Sequence, residues 1–395
     1  MLFEKVNDSS LHQEIAELGE MLERTIEEIA GPELLEQIAT IVRISHRRRQ
    51  QQPGANEELN ALLSSLTEPQ LRVVIRAFSI FLDLVNIAED RQRVRVLRQR
   101  ARSAQDGPRA ESIESALQRL KDDGRTTERM QKLLDQLEIE LVFTAHPTDA
   151  KRRSIRRKLR RIREFLDVNT ADLLPAELAR NRRGIRSEVA KLWQTDFIRP
   201  WRPTVLQEVQ RGLSIQPVLW EVVPQILDEI RSGLEKVYPG QTFREHPYIT
   251  FGSWIGGDRD GHPFVTARVT EQTILWLRQA AIEAHIAACR RLFESLSVST
   301  RHASLGSEIT DALTAALERW PHLQGILREI PPGEIVRRHL AVIMRRLQQT
   351  QKMELSDFFV DGAYASPQEL IEDVSVLHRA LAAAPGDELL ADEIA

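Results

Sequence analysis

Glu140-Leu141-Val142-Phe143-Thr144-Ala145 is a short apolar stretch rich in β-formers, and His146-Pro147-Thr148 follows it at once before a helical pattern resumes. It reads as strand, turn, helix. A second stretch, Tyr248-Ile249-Thr250-Phe251-Gly252-Ser253-Trp254-Ile255, is equally strand-like and ends in Gly256-Gly257-Asp258-Arg259-Asp260-Gly261-His262-Pro263, with a helix resuming near Thr270. Polar residues just beyond the C-terminal ends of strands are where ligand sites are built in helix-flanked parallel sheets and barrels. Two strands alone make no stable sheet and leave their edges unpaired, so further strands must come from elsewhere.

Around these two breaks the chain is helical. Glycine and proline number only 18 each in 395 residues, and apolar residues recur at helical spacing, as in Leu18, Met21, Leu22, Ile26 and Ile29. A second helix follows Gly31-Pro32 and runs into Arg47, Arg48 and Arg49, cations that oppose the macrodipole at a helix C-terminus. The longest early helix spans about Glu68 to Arg102, with Val73, Val74, Ala77, Phe78, Phe81, Leu84, Val85 and Ala88 as its apolar stripe. From about residue 304 the pattern is helical again, with a turn near Gly362 to Pro367 and a closing helical pattern through DELLADEIA. Three regions follow: a helical one over 1–137, helices with the two strands over 138–300, and a helical one over 301–395.

Composition narrows the class. Hydrophobic residues make up 42% and charged residues 28%, the balance of a globular protein. Lys plus Arg total 54 against 58 acids, so the net charge of -4 gives no general pull toward nucleic acid or an anionic membrane. Cys289 is the single cysteine, which fits a reducing compartment, and the expected location is the cytoplasm. No stretch approaches the roughly 18 apolar residues of a membrane span, and the charged start does not resemble a signal peptide.

Three places could carry chemistry. His146, at a strand end, could move a proton near neutral pH, or could merely satisfy a backbone group there. Residues 151 to 163, KRRSIRRKLRRIR, hold nine Lys or Arg in thirteen. That helix could track phosphates as a non-catalytic module binding anionic polymers, but Ile155, Leu159 and Ile162 form an apolar stripe and no aromatic is interleaved. Pairing with carboxylates inside the fold is the favoured expectation. In the Gly256 to Gly261 turn, Arg259 suits an anionic oxygen fork, while an Asp258-Arg259-Asp260 ion-pair cluster that only shapes the turn is the competing reading. There is no Walker loop, HExxH, GxSxG or Cys/His ligand cluster.

Phe143-Thr144-Ala145-His146-Pro147-Thr148 with Arg152-Arg153 resembles the TAHPT…RR signature of the phosphoenolpyruvate carboxylase family, and residues 252 to 263 resemble its GSWMGGDRDGNP segment. The likeness extends in order through residues 77–89, Trp193-Gln194-Thr195-Asp196, Leu219-Trp220 and Gly362-Ala363-Tyr364-Ala365-Ser366-Pro367. Asp149 and His262 depart from the family's usual Glu or Gln and Asn. The resemblance implies a mainly α-helical protein whose helices surround part of a β/α, TIM-like barrel, with only the first barrel strands in this chain. It implies carboxylation of phosphoenolpyruvate with bicarbonate to oxaloacetate and phosphate, an anaplerotic reaction feeding the tricarboxylic acid cycle. His146 matches the family's catalytic histidine, and Trp254 and Arg259 match substrate-pocket residues. The Mg²⁺ cofactor's ligands, a DIRQ segment and a GRGG loop belong to a second half not found in these residues. The expected partners are therefore the remaining C-terminal portion of the enzyme and, in the whole enzyme, further subunits of a homotetramer. Neither nucleic acid nor membrane is expected as a partner, and this chain alone is expected to be inactive.

Overall fold

A computed structural model describes residues 10–103, 107–144, 151–169, 172–197, 203–244, 246–260, 262–354 and 360–382. The chain is mostly helical. Helices α1 (Ser10–Ala30), α2 (Pro32–Arg49), α3 (Ala55–Ser65), α4 (Glu68–Ser103), α5 (Ile113–Asp122) and α6 (Thr127–Gln136) lead to strand β1 (Ile139–Phe143). Then come α7 (Arg153–Asp167), α8 (Pro175–Trp193), α9 (Val205–Gly212) and α10 (Gln216–Val237), followed by strand β2 (Ile249–Ser253). The rest is α11 (Ala267–Ser295), α12 (Ser307–Arg319), α13 (Ile335–Gln351) and α14 (Pro367–Ala382). No described helix is long and apolar enough to cross a membrane.

The chain divides into two compact units, Met1–Gly124 with His146–Arg202, and Arg125–Ala145 with Pro203–Ala395. In the first unit α1, α2, α4, α7 and α8 enclose one core, built from Leu18, Leu22 and Ile26 of α1, Ile80 and Leu84 of α4, and Val189 and Leu192 of α8. The basic helix α7 enters that core with its apolar stripe, since Ile155 and Ile162 are fully buried and Leu159 packs beside them. Its cations meet carboxylates as expected at three places. Lys151, just ahead of the helix, pairs with Asp83 of α4. Arg161 Nε lies 3.4 Å from Glu188 Oε1 of α8, and Arg163 Nη1 lies 3.8 Å from Asp90 Oδ2 of α4. Burying Asp83 and Glu188 without such partners would cost more than the helix contacts recover.

In the second unit the core lies among α11, α12, α13 and α14, with Ile282, Ile286, Leu340, Ile343, Leu377 and Leu381 at its centre. A buried charge ties α13 to α14. Arg346 reaches Glu369 Oε2 at 2.7 Å and Asp373 Oδ2 at 2.8 Å, while its guanidinium lies over the rings of Trp320 and Tyr364. The Tyr364 hydroxyl donates to the same Asp373 oxygen at 2.7 Å. On the side of this unit nearer its start, β1 and β2 pair in parallel, from Ile139 opposite Ile249 to Phe143 opposite Ser253. Leu141, Val142 and Phe251 on these strands are more than 40% exposed, unlike strands of a completed parallel sheet, which are covered on both faces. Two parallel strands do not by themselves make a barrel.

Candidate functional site

Because β1 and β2 run parallel, their C-terminal ends lie side by side. The Trp254 amide donates to the Phe143 carbonyl at 2.8 Å, one residue past the last paired position of β2. The chain then turns back on itself. The Gly257 and Asp258 amides both donate to the Trp254 carbonyl, at 3.1 and 2.9 Å, and the Ile255 amide donates to Ser253 Oγ at 3.2 Å.

This tight return requires glycine at residue 256. Gly256 has φ of +78° and is buried, and a Cβ built on it would lie 2.3 Å from Thr273 Oγ1 on α11. A side chain would be strained by the backbone and would collide with the helix. The Thr270 hydroxyl, one helical turn earlier on α11, donates to the Gly256 carbonyl at 3.0 Å. Thr266 caps α11 by accepting from the Val269 amide at 3.4 Å. Strand ends, turn and helix thus form one hydrogen-bonded piece.

Charge in the turn is unspent. Asp258 Oδ1 accepts from the Asp260 amide at 3.0 Å, and the Arg259 carbonyl accepts from the His262 amide at 3.2 Å. Arg259 itself is exposed and has no carboxylate partner among the described residues, so the Asp-Arg-Asp ion-pair cluster is not what shapes this turn. Its five donors remain available to an anion, which a planar guanidinium grips in bidentate fashion. Trp254 is 56% exposed beside it in sequence, and the His262 ring meets Phe264 edge-on at 6.0 Å.

A separate cavity of about 620 Å³ opens nearby, lined by Phe143, Phe251 and Ile255 together with Leu219, Trp220 and Val223 of α10. Its walls are apolar and include neither Trp254 nor Arg259, so it is a hydrophobic groove and not the anion site. His146 falls in 145–150, outside the described residues. The strand that leads to it ends at Phe143, alongside the base of the Trp254 turn. Among the described residues no three His, Cys, Asp or Glu side chains converge to hold a metal ion, so these residues do not fit a Mg²⁺ cage. The residues that sequence reasoning missed are Thr270 and Thr273, whose hydroxyls carry no signal until α11 is packed against the turn.

Comparison with known proteins fits this geometry. The family described as phosphoenolpyruvate carboxylase matches residues 11–395. A phosphoenolpyruvate carboxylase of Roseiflexus castenholzii is 36% identical over 374 residues, covering 92% of this chain and 40% of the relative. One from Rhodothermus marinus is 37% identical over 293 residues, covering 73% and 31%, and one from Pseudomonas paraeruginosa is 35% identical over 357 residues, covering 86% and 40%. The chain thus spans about two fifths or less of the length of these relatives.

Proposed function

This chain belongs to the phosphoenolpyruvate carboxylase family, and from that membership we propose that it supplies the proton-transfer and anion-binding turns of an enzyme joining phosphoenolpyruvate to bicarbonate. Bicarbonate oxygen attacks the phosphorus of phosphoenolpyruvate, the phosphorus–oxygen bond to the enol breaks, and carboxyphosphate and an enolate result. His146 accepts the carboxyphosphate proton as that species releases CO₂ and phosphate, and the enolate carbon attacks CO₂ to give oxaloacetate. Arg259 holds an anionic oxygen of substrate or intermediate, and Trp254 forms an aromatic edge beside it. The observation that carries this reading is the unpaired guanidinium of Arg259 on a rigid turn at the C-terminal ends of two parallel strands.

In this reading β1 and β2 are the first strands of a parallel barrel whose other strands lie in the length the relatives have beyond this match. Mg²⁺ supplies charge stabilisation in the whole enzyme. Its ligands belong to that remaining length, because the residues described here do not fit it, and no step above is routed through the metal. The whole enzyme works in the cytoplasm as an anaplerotic lyase and homotetramer, and the 395-residue chain alone does not complete the carboxylation.

The test couples oxaloacetate formation to malate dehydrogenase in the complete enzyme carrying this sequence. His146→Asn should lose about 100-fold or more of the rate, the contribution of a positioned acid-base group. Wild-type turnover in that variant removes the assigned role. Mg²⁺-dependent phosphate release at an enzymatic rate from the 395-residue chain alone removes the claim that it is incomplete.

A further inference from the structure

Thr270 has two carbonyls within reach, and they are not equivalent. Its hydroxyl lies 3.0 Å from the Gly256 carbonyl and 3.3 Å from the Thr266 carbonyl. The Thr266 carbonyl already accepts the Thr270 amide at 3.0 Å as an ordinary helical bond. The Gly256 carbonyl belongs to a buried residue and has only the Thr270 hydroxyl among the described residues. A buried carbonyl that loses its donor has to move to find another. Here movement is easy, because Gly256 and Gly257 adjoin and neither has a side chain to resist rotation of the peptide between them. Arg259 lies three residues beyond Gly256, within the same turn.

We propose that Thr270 is a positioning residue for Arg259: its hydroxyl holds the Gly256 carbonyl and so keeps the turn in the one conformation that presents the guanidinium unpaired at the strand ends. Thr273 acts with it one turn further along α11, closing the space a different Gly256 conformation would need. The inference rests on the reading of Arg259 as the anion-binding group. It also predicts a particular kinetic signature. If the anchored turn becomes only a fraction of the population, apparent affinity for the anion falls by that fraction, whereas the anchored molecules react as before.

The experiment has two arms with Thr270→Val and Thr270→Ser, since valine keeps the shape and removes the donor while serine keeps the donor. In the 395-residue chain, amide exchange over 254–260 should accelerate about tenfold in Thr270→Val, remain at the wild-type rate in Thr270→Ser, and leave α13 and α14 unchanged. Unchanged exchange in Thr270→Val overturns the proposal. In the complete enzyme, Thr270→Val should raise KM for phosphoenolpyruvate about five- to tenfold with kcat within about twofold, and Thr270→Ser should restore both. A fall in kcat with KM unchanged also overturns it. If the wild-type enzyme does not turn over phosphoenolpyruvate, the functional reading falls, and the exchange arm still decides whether Thr270 holds the turn.

Discussion

The amide of Trp254 donates to the carbonyl of Phe143 at 2.8 Å, so the chain leaving β2 is tied to the end of β1 at the point where both strands stop. The bond belongs to the main chain and survives any side-chain change nearby. It fixes the origin of the turn that carries Arg259 relative to the strand whose next residues lead to His146. That is why Arg259 can be varied to read its own contribution without dismantling the turn.

Arg259→Ala should raise KM for phosphoenolpyruvate in the complete enzyme by on the order of 10- to 100-fold, the value of charge-assisted hydrogen bonds to an anion. Arg259→Lys keeps the charge and loses the planar fork, and should fall between the two. Steady-state kinetics with bicarbonate saturating checks this, and wild-type KM in Arg259→Ala would show that the guanidinium meets no substrate oxygen.

Much of this was legible in the sequence, and the exceptions have physical causes. The long helix expected from Glu68 to about Arg102 runs from Glu68 to Ser103, and Val74, Ala77, Leu84 and Ala88 of its expected stripe are buried. Ile80, Ile87 and Asp83 are buried as well, while Val73, Phe78, Phe81 and Val85 are only half-buried. A single-stripe periodicity assumes one packing partner, whereas α4 packs against α1, α2, α7 and α8. Asp83 reads as an outward residue because its neutralising partner, Lys151, is 68 positions away. At the site, the unpaired state of Arg259 was equally out of reach. It depends on Asp258 bonding to a backbone amide, and composition cannot separate that from an ion pair.

The Asp83–Lys151 pair is asymmetric, with the carboxylate side chain 6% exposed and the ammonium side chain 48% exposed. Lys151→Met strands the buried charge and should cost about 1–3 kcal/mol in denaturant unfolding of the 395-residue chain. Asp83→Leu combined with Lys151→Met removes both charges and should recover most of that loss, since apolar replacement of a buried pair is often neutral or better. Equal destabilisation in the single and double variants would mean that the loss comes from packing and not from an uncompensated carboxylate.

His339 on α13 is 2% exposed, and its Nε2–H donates to the Asp373 carbonyl at 3.2 Å while Nδ1 has no partner among the described residues. Burial holds its pKa below the ordinary histidine value; the Asp373 carboxylate and carbonyl oppose the shift, and Arg346 adds to it. Glu369 and Tyr364 complete the set of ionisable groups around Arg346 and Asp373. The unfolded chain therefore takes up this proton first. Stability from this group is fully present above about pH 6.5 and declines as pH falls below it, by at most about 1.4 kcal/mol per pH unit, until the folded imidazole also protonates. Unfolding free energies at pH 7.5, 6 and 5 should show a shallower acid loss in His339→Gln than in wild type. The same slope in both would assign the acid sensitivity elsewhere.

Gly256→Ala separates two penalties at one position. The backbone at φ +78° costs an alanine about 1–2 kcal/mol, and contact with Thr273 Oγ1 at 2.3 Å, Cγ2 at 2.8 Å and Cβ at 3.0 Å adds a comparable overpacking cost. The collision cannot be relieved by rotating the threonine, because its Cβ is itself too close and Thr273 is only 4% exposed. Gly256→Ala alone should therefore lose about 2 kcal/mol or more. Placed in a Thr273→Ala background the same substitution meets an open wall, and only the backbone part, about 1–2 kcal/mol, should remain. A double-mutant cycle on the 395-residue chain reads the difference as a coupling between residues 256 and 273. No coupling would mean that the turn is not pressed against α11, and the hold attributed to Thr270 would lose its geometric basis as well.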